Sequence, residues 1–176
     1  MSDSRERDRL RRWVKYSAWF LTLALLYVLA DFSFDLRPAK IQSSYQFRLD
    51  ELTLDRPAIL QQDSLAIVVI RRSAATIESL RASGEILQDP NSSLSRQPDY
   101  AANSLRSREP EYFVAYALGT DLGCRLRLKA RVLQEICGRA RYDFAGRALR
   151  GEQKFRNLDV PDYLFSDNYR TLIIKP

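Results

Sequence analysis

The feature that most constrains the fold of this chain is an uncharged apolar run of fifteen residues, 16–30. As an α-helix this run would be roughly 22 Å long, at about 1.5 Å per residue. The hydrocarbon core of a bilayer is about 30 Å thick, so flanking residues must complete a membrane span. Lys15 can extend its charge outwards, and Trp13 and Phe32 suit the two interfaces. The sequence therefore predicts one transmembrane helix over residues 15–36.

The charges before this run predict its orientation. Residues 1–15 contain six Lys or Arg and three Asp or Glu, which is half of the net charge of +6. Such an excess favours a cytoplasmic basic tail, residues 1–14, and places the rest of the chain across the membrane. The competing interpretation is a cleaved signal peptide, because Ala30 offers a cleavage site. Arg11 and Arg12 loosely resemble a twin-arginine signal, and the export route stays open.

Composition excludes several kinds of site. The chain has no histidine, so histidine-based triads and histidine-ligated metal centres are excluded. Two cysteines, Cys124 and Cys137, are too few for a four-thiolate centre, and they are open to three interpretations: a disulfide, a redox pair or two inert thiols. Outside the tail, we expect the remaining positive charge to be spread along the chain without a basic cluster interleaved with aromatic residues, so we expect no nucleic-acid binding.

The residues after the apolar run favour β-structure. Apolar segments at 64–70 and 111–118 predict buried strands, and 171–175 predicts a last strand. The segment 125–132 alternates strictly between apolar and basic residues, which indicates one half-buried strand with a solvated basic face. Its predicted inner face is made of Leu126, Leu128, Ala130 and Val132.

Other segments have a different character. Residues 73–82 predict a helix with Ile77 and Leu80 facing inwards, and residues 88–108 predict a long polar loop. A mixed polar stretch that includes Pro38 predicts a linker over residues 37–44. The head domain is expected to occupy residues 45–176.

Two glycine-bearing segments show a family resemblance. Residues 119–124 read GTDLGC, and residues 135–147 read EICGRARYDFAGR. They resemble the two boxes, C-T-H-L-G-C and C-P-C-H-G-S, of the Rieske iron–sulfur subunit of cytochrome bc-type quinol–cytochrome c oxidoreductases. Further similar stretches occur in the same order, at 89–92, 97–100, 109–114 and 156–163. The resemblance implies a mainly β fold, a Rieske-like antiparallel β-sandwich head on a single N-terminal transmembrane helix.

The chain departs from the family at the cluster ligands. A Rieske centre is held by two thiolates and two imidazoles. The resemblance places these ligands on Gly119 and Asp121 in the first box, and on Glu135 and Gly138 in the second. None of the four provides the required donor. We therefore expect no iron–sulfur cluster, no other cofactor or metal, and no catalytic residue.

The resemblance also assigns roles to other residues. The family's second cysteine in each box falls on Cys124 and Cys137, which implies a disulfide that closes a loop and contributes roughly 3 kcal/mol. The serine that donates to the cluster falls on Ala140, whereas Tyr142 is retained. Residues 152–155 replace the proline-rich loop that covers the cluster.

The loss of the cluster requires that its space be refilled or collapsed. We expect Asp121 or Glu135 to form a pair with Arg139 or Arg141 near that space. The same two carboxylates leave open a minor alternative, an enzyme with an acid–base pair or a hard-cation site. A thiol–disulfide activity is less expected, because the cysteine spacing is not Cys-x-x-Cys.

The expected function is that of a non-catalytic, cluster-less accessory subunit of a respiratory cytochrome bc-type complex, with a structural, assembly or regulatory role. Its expected partners are the membrane, cytochrome b, a cytochrome c-type subunit and the true Rieske subunit. The alternative is a Rieske-fold interaction subunit of another respiratory oxidase or of a supercomplex. The expected location is the inner membrane of a bacterium, with a cytoplasmic N-terminus and a periplasmic head.

Overall fold

A computed structural model of the chain describes residues 3–34 and 44–175. The chain divides into two units, Met1–Gln42 and Ser43–Pro176. Of the predicted linker 37–44, only Ser44 is among the described residues.

The N-terminal unit contains one long helix, α1, Asp3–Phe34. Its segment Glu6–Phe32 has a mean hydropathy of 1.4 and is long and apolar enough to cross a membrane, although a signal sequence can show the same features. Large apolar side chains of α1, among them Trp19 and Phe20, are exposed. A helix that exposes apolar side chains all round is suited to a lipid environment.

The head contains nine strands in its described part. They are β1 (Tyr45–Arg48), β2 (Pro57–Gln62), β3 (Leu65–Arg71), β4 (Tyr112–Tyr116), β5 (Leu126–Lys129), β6 (Val132–Glu135), β7 (Arg141–Tyr142), β8 (Tyr163–Ser166) and β9 (Thr171–Ile174). They form three antiparallel sheets of three strands, in the orders β1-β9-β8, β2-β3-β4 and β5-β6-β7. The predicted mainly β, antiparallel head after one N-terminal apolar helix is confirmed.

The sheet β2-β3-β4 forms the centre of the hydrophobic core. Ile67, Val68, Val69 and Ile70 of β3 are fully buried, as are Phe113 and its two successors in β4. A strand with four successive buried residues must be covered on both faces there, which is why its sequence is a continuous apolar run and not an alternation.

The segment after β3 forms the predicted helix, α2, Ala74–Ala82. The Ser73 hydroxyl accepts a hydrogen bond from the Thr76 N–H at 3.2 Å and so caps the N-terminus of α2. Leu80 is buried and Ile77 is half-buried against the core. The predicted loop 88–108 is largely irregular and includes one short 3₁₀ turn, Asp99–Ala101.

The prediction of one strand over residues 125–132 is wrong. Strand β5 ends at Lys129, and the chain turns at Ala130 and Arg131, whose φ angles are 48° and 62°. Two residues with positive φ form the tight turn that suits a hairpin, but this one lacks the Asn-Gly or Asp-Gly pair that usually reveals it. Of the predicted inner face only Leu126 is buried, and Leu128 is 45% exposed.

Buried arginines hold the long loop and the segment between β7 and β8 in place. The Arg72 guanidinium donates to the carbonyls of Leu105 and Pro110, each at 2.9 Å. Arg106 donates to the carbonyls of Gly146 at 3.1 Å and Leu158 at 2.7 Å. Burial lowers the pKa of each of these two guanidinium groups to about 10. These irregular segments are therefore fixed by buried cations that bind backbone carbonyls.

Candidate functional site

Two loops meet at one end of the β5-β6-β7 sheet. The first loop, residues 119–124, lies between β4 and β5 and is closed by a hydrogen bond from the Gly119 N–H to the Cys124 carbonyl at 2.8 Å. The second loop, residues 136–140, lies between β6 and β7. A disulfide between Cys124 and Cys137 joins the two loops, with 6.0 Å between their Cα atoms. The predicted disulfide is confirmed.

The four positions that the resemblance assigns to the cluster ligands lie close together. A Cβ atom added to Gly119 would lie 2.7 Å from Cγ of Glu135 and still closer to its carboxylate. A Cβ atom added to Gly138 would lie 2.9 Å from Oδ2 of Asp121 and 2.9 Å from Cδ of Glu135. Both glycines are therefore needed because the two acidic side chains occupy the space between the loops.

The Glu135 carboxylate lies at the centre of this arrangement and is fully buried. Its Oε1 accepts hydrogen bonds from the N–H groups of Leu122 at 2.9 Å and Cys124 at 2.8 Å. Its Oε2 accepts from the N–H of Asp121 at 3.1 Å. Three amide donors that converge on one point form a site for an anion, and here the anion is a side chain of the same chain. These bonds offset the cost of burying the carboxylate and fix the first loop.

Asp121 lies in the first loop and connects it to the second loop. Its Oδ2 accepts a hydrogen bond from the backbone N–H of Arg139 at 2.9 Å. The expected Asp121–Arg139 contact is therefore present, but it is made by the amide and not by the guanidinium. Within the described residues, neither Asp121 nor Glu135 forms an ion pair with Arg139 or Arg141, whose side chains are exposed. Backbone N–H groups, and not guanidinium groups, donate the hydrogen bonds to these two carboxylates.

Tyr142 supports the first loop from the core side. Its hydroxyl accepts a hydrogen bond from the Thr120 N–H at 2.7 Å and lies 2.9 Å from the Thr120 hydroxyl. The Thr120 hydroxyl donates in turn to the Arg156 carbonyl at 2.7 Å. Burial raises the pKa of Tyr142. Thr120 was not recognised in the sequence as part of the site, although its place between two predicted positions is the signal that could have revealed it.

Comparison with known proteins identifies the relationship. No protein-family model matches the chain. The ubiquinol–cytochrome c reductase iron–sulfur subunit of Allochromatium vinosum is 29% identical over 117 residues, which cover 60% of this chain and 56% of that protein. The chain is a relative of the Rieske iron–sulfur subunits. It spans little more than half the length of the curated relative that it matches. A chain of a solved structure titled hyperthermophilic respiratory Complex III is also similar, with a TM-score of 0.49 and 16% identity over 90% of this chain and 96% of that chain.

The residues of this Rieske relative do not fit a Rieske cluster. The four ligand positions hold two glycines and two acids, and the chain contains no histidine that could provide an imidazole. The Glu135 carboxylate also lies in the space above Gly119 where a cluster would have to be accommodated. Neither the donor set nor the available space suits two irons.

A mononuclear metal ion fits no better. The sulfurs of Cys124 and Cys137 and a carboxylate oxygen of Glu135 lie within 4.8 Å of one another. Each sulfur is bonded to the other, and thiolates, not disulfide sulfurs, are the metal ligands. The carboxylate faces three N–H donors, whose positive ends favour an anion at this point.

The segment expected to replace the family's covering loop, residues 152–155, lies at the surface. Residues 151–154 are exposed, and Phe155 is half-buried against the core. Gln88 binds this segment on both sides, by donating to the Gln153 carbonyl and accepting from the Phe155 N–H. The segment is thus attached to the long loop.

Proposed function

We propose that this chain is a cluster-less, non-catalytic, Rieske-like accessory subunit of a respiratory cytochrome bc-type complex. The observation that supports the proposal best is the buried Glu135 carboxylate, which accepts three amide hydrogen bonds from the first loop. The relationship to an iron–sulfur subunit supports the type of complex. Its role is structural, in assembly, stability or regulation.

The geometry gives a reason why the head can fold without iron. In a cluster-bearing subunit, the metal centre joins the two loops by covalent ligand bonds. In this chain the same two loops are joined by the Cys124–Cys137 disulfide and by the hydrogen bond from Arg139 to Asp121. Glu135 completes the first loop. The loops therefore need no metal to be held together.

The proposal assigns location and partners. Helix α1 holds the subunit in the inner membrane of a bacterium, with the N-terminus in the cytoplasm and the head in the periplasm. Structural disulfides persist in that oxidising compartment, which agrees with Cys124–Cys137. The proposed partners are cytochrome b, a cytochrome c-type subunit and the true Rieske subunit of the complex.

The absence of a cluster is tested on the full chain, purified in detergent from its native membranes under anaerobic conditions. We expect no stoichiometric iron or acid-labile sulfide, and no resonance of a reduced two-iron cluster in the paramagnetic resonance spectrum. Two irons per chain with such a resonance would refute the proposal, because the cluster-less state is its central claim.

The assembly role is tested by affinity purification of a tagged full chain from solubilised membranes, followed by mass spectrometry. We expect cytochrome b, a c-type cytochrome and the true Rieske subunit in constant ratio to the tagged chain. The matched control is a tagged chain that ends after Ser44, which retains α1 and lacks the head. Co-purification of subunits of another oxidase would contradict the proposed complex and support the alternative partner.

A further inference from the structure

The positive charge of the head is concentrated in one part of the chain. Residues 119–155 contain nine Lys or Arg and four Asp or Glu, whereas the rest of the head, 43–118 and 156–176, contains eleven and thirteen. The first part therefore has a net charge of +5 and the second a net charge of −2. This differs from our expectation from the sequence, in which the charge outside the tail is dispersed.

Much of this charge lies on one face of the β5-β6-β7 sheet. Arg127 and Lys129 alternate along β5 with residues of the opposite face, and Arg125 directly precedes the strand in the same alternation. Across the sheet, Arg127 is opposite Gln134, and Gln134 is opposite Arg141. Directly opposed residues point to the same side of a sheet. The basic face is defined here by Arg125, Arg127, Lys129 and Arg141, all of which are exposed.

No acidic side chain neutralises the basic face. In the part of the chain that the structure describes, its four cations form no ion pair with Asp or Glu. Of the four acids in residues 119–155, Glu135 is buried, Asp121 and Asp143 are half-buried, and Glu152 is exposed. An apolar residue, Ile136, lies next to this face, since its N–H donates to the Arg125 carbonyl at 3.0 Å, and its side chain is 54% exposed.

We infer that the basic face binds the anionic phospholipid headgroups of the membrane in which α1 is anchored. Only nine residues, 35–43, separate the last residue of α1 from Ser44. Even when fully extended, nine residues reach at most about 32 Å, so a bilayer surface is always within reach of the head. A tethered basic surface meets its anionic counterpart at high effective concentration. Ile136 suits the boundary between headgroups and acyl chains.

This inference depends on α1 and the basic face, and it does not depend on the proposed function. An acidic protein surface would also attract four cations. The bilayer is favoured because the anchor keeps it close to every copy of the head, whichever protein partner is present. Binding of this kind is electrostatic and is therefore weakened by salt.

The experiment uses the full chain in nanodiscs of phosphatidylcholine alone or with about 30 mol% phosphatidylglycerol. A water-soluble amine reagent labels lysines, and mass spectrometry measures the rate at Lys129, on the basic face, relative to Lys175, outside it. We expect the relative rate at Lys129 to be about fivefold lower with phosphatidylglycerol, and to recover in about 0.5 M NaCl.

Two variants that lose the same amount of charge distinguish an effect of the basic face from an effect of the net charge of the head. Arg125→Gln, Arg127→Gln and Arg141→Gln together are expected to abolish the protection of Lys129. Arg56→Gln, Arg81→Gln and Arg96→Gln together, all exposed positions elsewhere on the head, are expected to leave it unchanged. Detection of the intact disulfide in each variant reports correct folding. Equal labelling of Lys129 in the two lipids would overturn the inference, even if Lys129 were protected in native membranes that contain a protein partner. An equal loss of Lys129 protection in both variants would also overturn it.

Discussion

The central sheet and the paired loops of the head are stabilised in opposite ways. In β3 and β4 the interior is apolar, and Ile67, Val69 and Phe113 are fully buried among hydrocarbon. Between the loops the interior is ionic, since the buried Glu135 carboxylate is held by three backbone N–H groups. Apolar burial is non-directional and tolerates small shifts, whereas an anion held by amides requires each donor in place. The comparison implies that the two regions respond differently to conservative substitutions.

The largest effect is expected in the central sheet. Phe113→Ala removes a fully buried ring that contacts the backbone near Gly146, and should lower the free energy of unfolding by about 3–5 kcal/mol. Phe113→Leu retains most of the volume and should cost clearly less. Urea unfolding of the full chain in detergent, followed by near-ultraviolet circular dichroism, measures both. Equal losses for Ala and Leu would mean that ring geometry, and not apolar volume, matters here.

Glu135→Ala should give the next largest loss, about 2–4 kcal/mol, because it leaves three N–H groups of the first loop without their acceptor and opens a cavity at a fully buried side chain. Glu135→Gln keeps the shape but places an NH₂ group against N–H donors, so it should still cost about 1–3 kcal/mol. This sensitivity to an isosteric change distinguishes the loops from the central sheet. Glu152→Gln, at an exposed acid in the same segment, is the control and should be neutral within about 0.5 kcal/mol.

If Glu135→Gln were as stable as the unsubstituted chain, the carboxylate would be no more than a space-filling group. The comparison between an apolar and an ionic interior would then fail. Hydrogen exchange at the amides of Asp121, Leu122 and Cys124 provides a second measurement, since these three should lose protection before the amides of β3.

The Cys124–Cys137 disulfide should contribute about 2–4 kcal/mol, as expected for a loop closed over a sequence separation of 13. Cys124→Ala with Cys137→Ala tests this without reductant. Because the disulfide and Glu135 hold the same first loop, their effects should be non-additive by about 0.5–3 kcal/mol in a double-mutant cycle. The Phe113→Ala effect should add to the disulfide effect if the two regions are independent. Additivity in both cycles would contradict the shared role of Glu135 and the disulfide.

The contrast between the apolar central sheet and the paired loops also explains how much of each region the sequence predicts. Strands β3 and β4 and helix α2 are predictable because a buried apolar run and an amphipathic period are local patterns. The β5–β6 hairpin is not, because its alternation continues through Ala130 and Arg131, and nothing in their side chains demands a turn. In sequence, the hairpin is indistinguishable from one strand.

The sequence predicted which residues form the site, but not which hydrogen bonds they make. The resemblance to the Rieske boxes brings Gly119, Asp121, Glu135 and Gly138 together, and the structure places them side by side. The expected ion pairs with Arg139 or Arg141 are absent from the described residues, since backbone amides provide the donors instead. Amide directions depend on loop φ and ψ angles, which residue types do not specify.

The smallest effect concerns a polar contact at the end of β3, outside both regions. Asp55 accepts hydrogen bonds from the Ser73 N–H at 3.0 Å and the Ser73 hydroxyl at 2.7 Å. Burial by itself would raise the pKa of Asp55, but these bonds, with contributions from Thr76 and Arg131, outweigh it and lower the pKa below the ordinary 3.8.

A lowered carboxyl pKa has a defined sign in the dependence of stability on pH. The contribution of Asp55 is fully present above about pH 4, the unfolded-state value, and is lost as the pH falls through the lower folded-state value. Asp55→Asn should remove this part of the acid dependence and cost about 1 kcal/mol at neutral pH. Urea midpoints measured from pH 7 down to pH 2.5 test it, with Asp63→Asn, an exposed turn residue, as control. An unchanged acid limb in Asp55→Asn would mean that the Asp55 contact does not contribute to the acid sensitivity of the head.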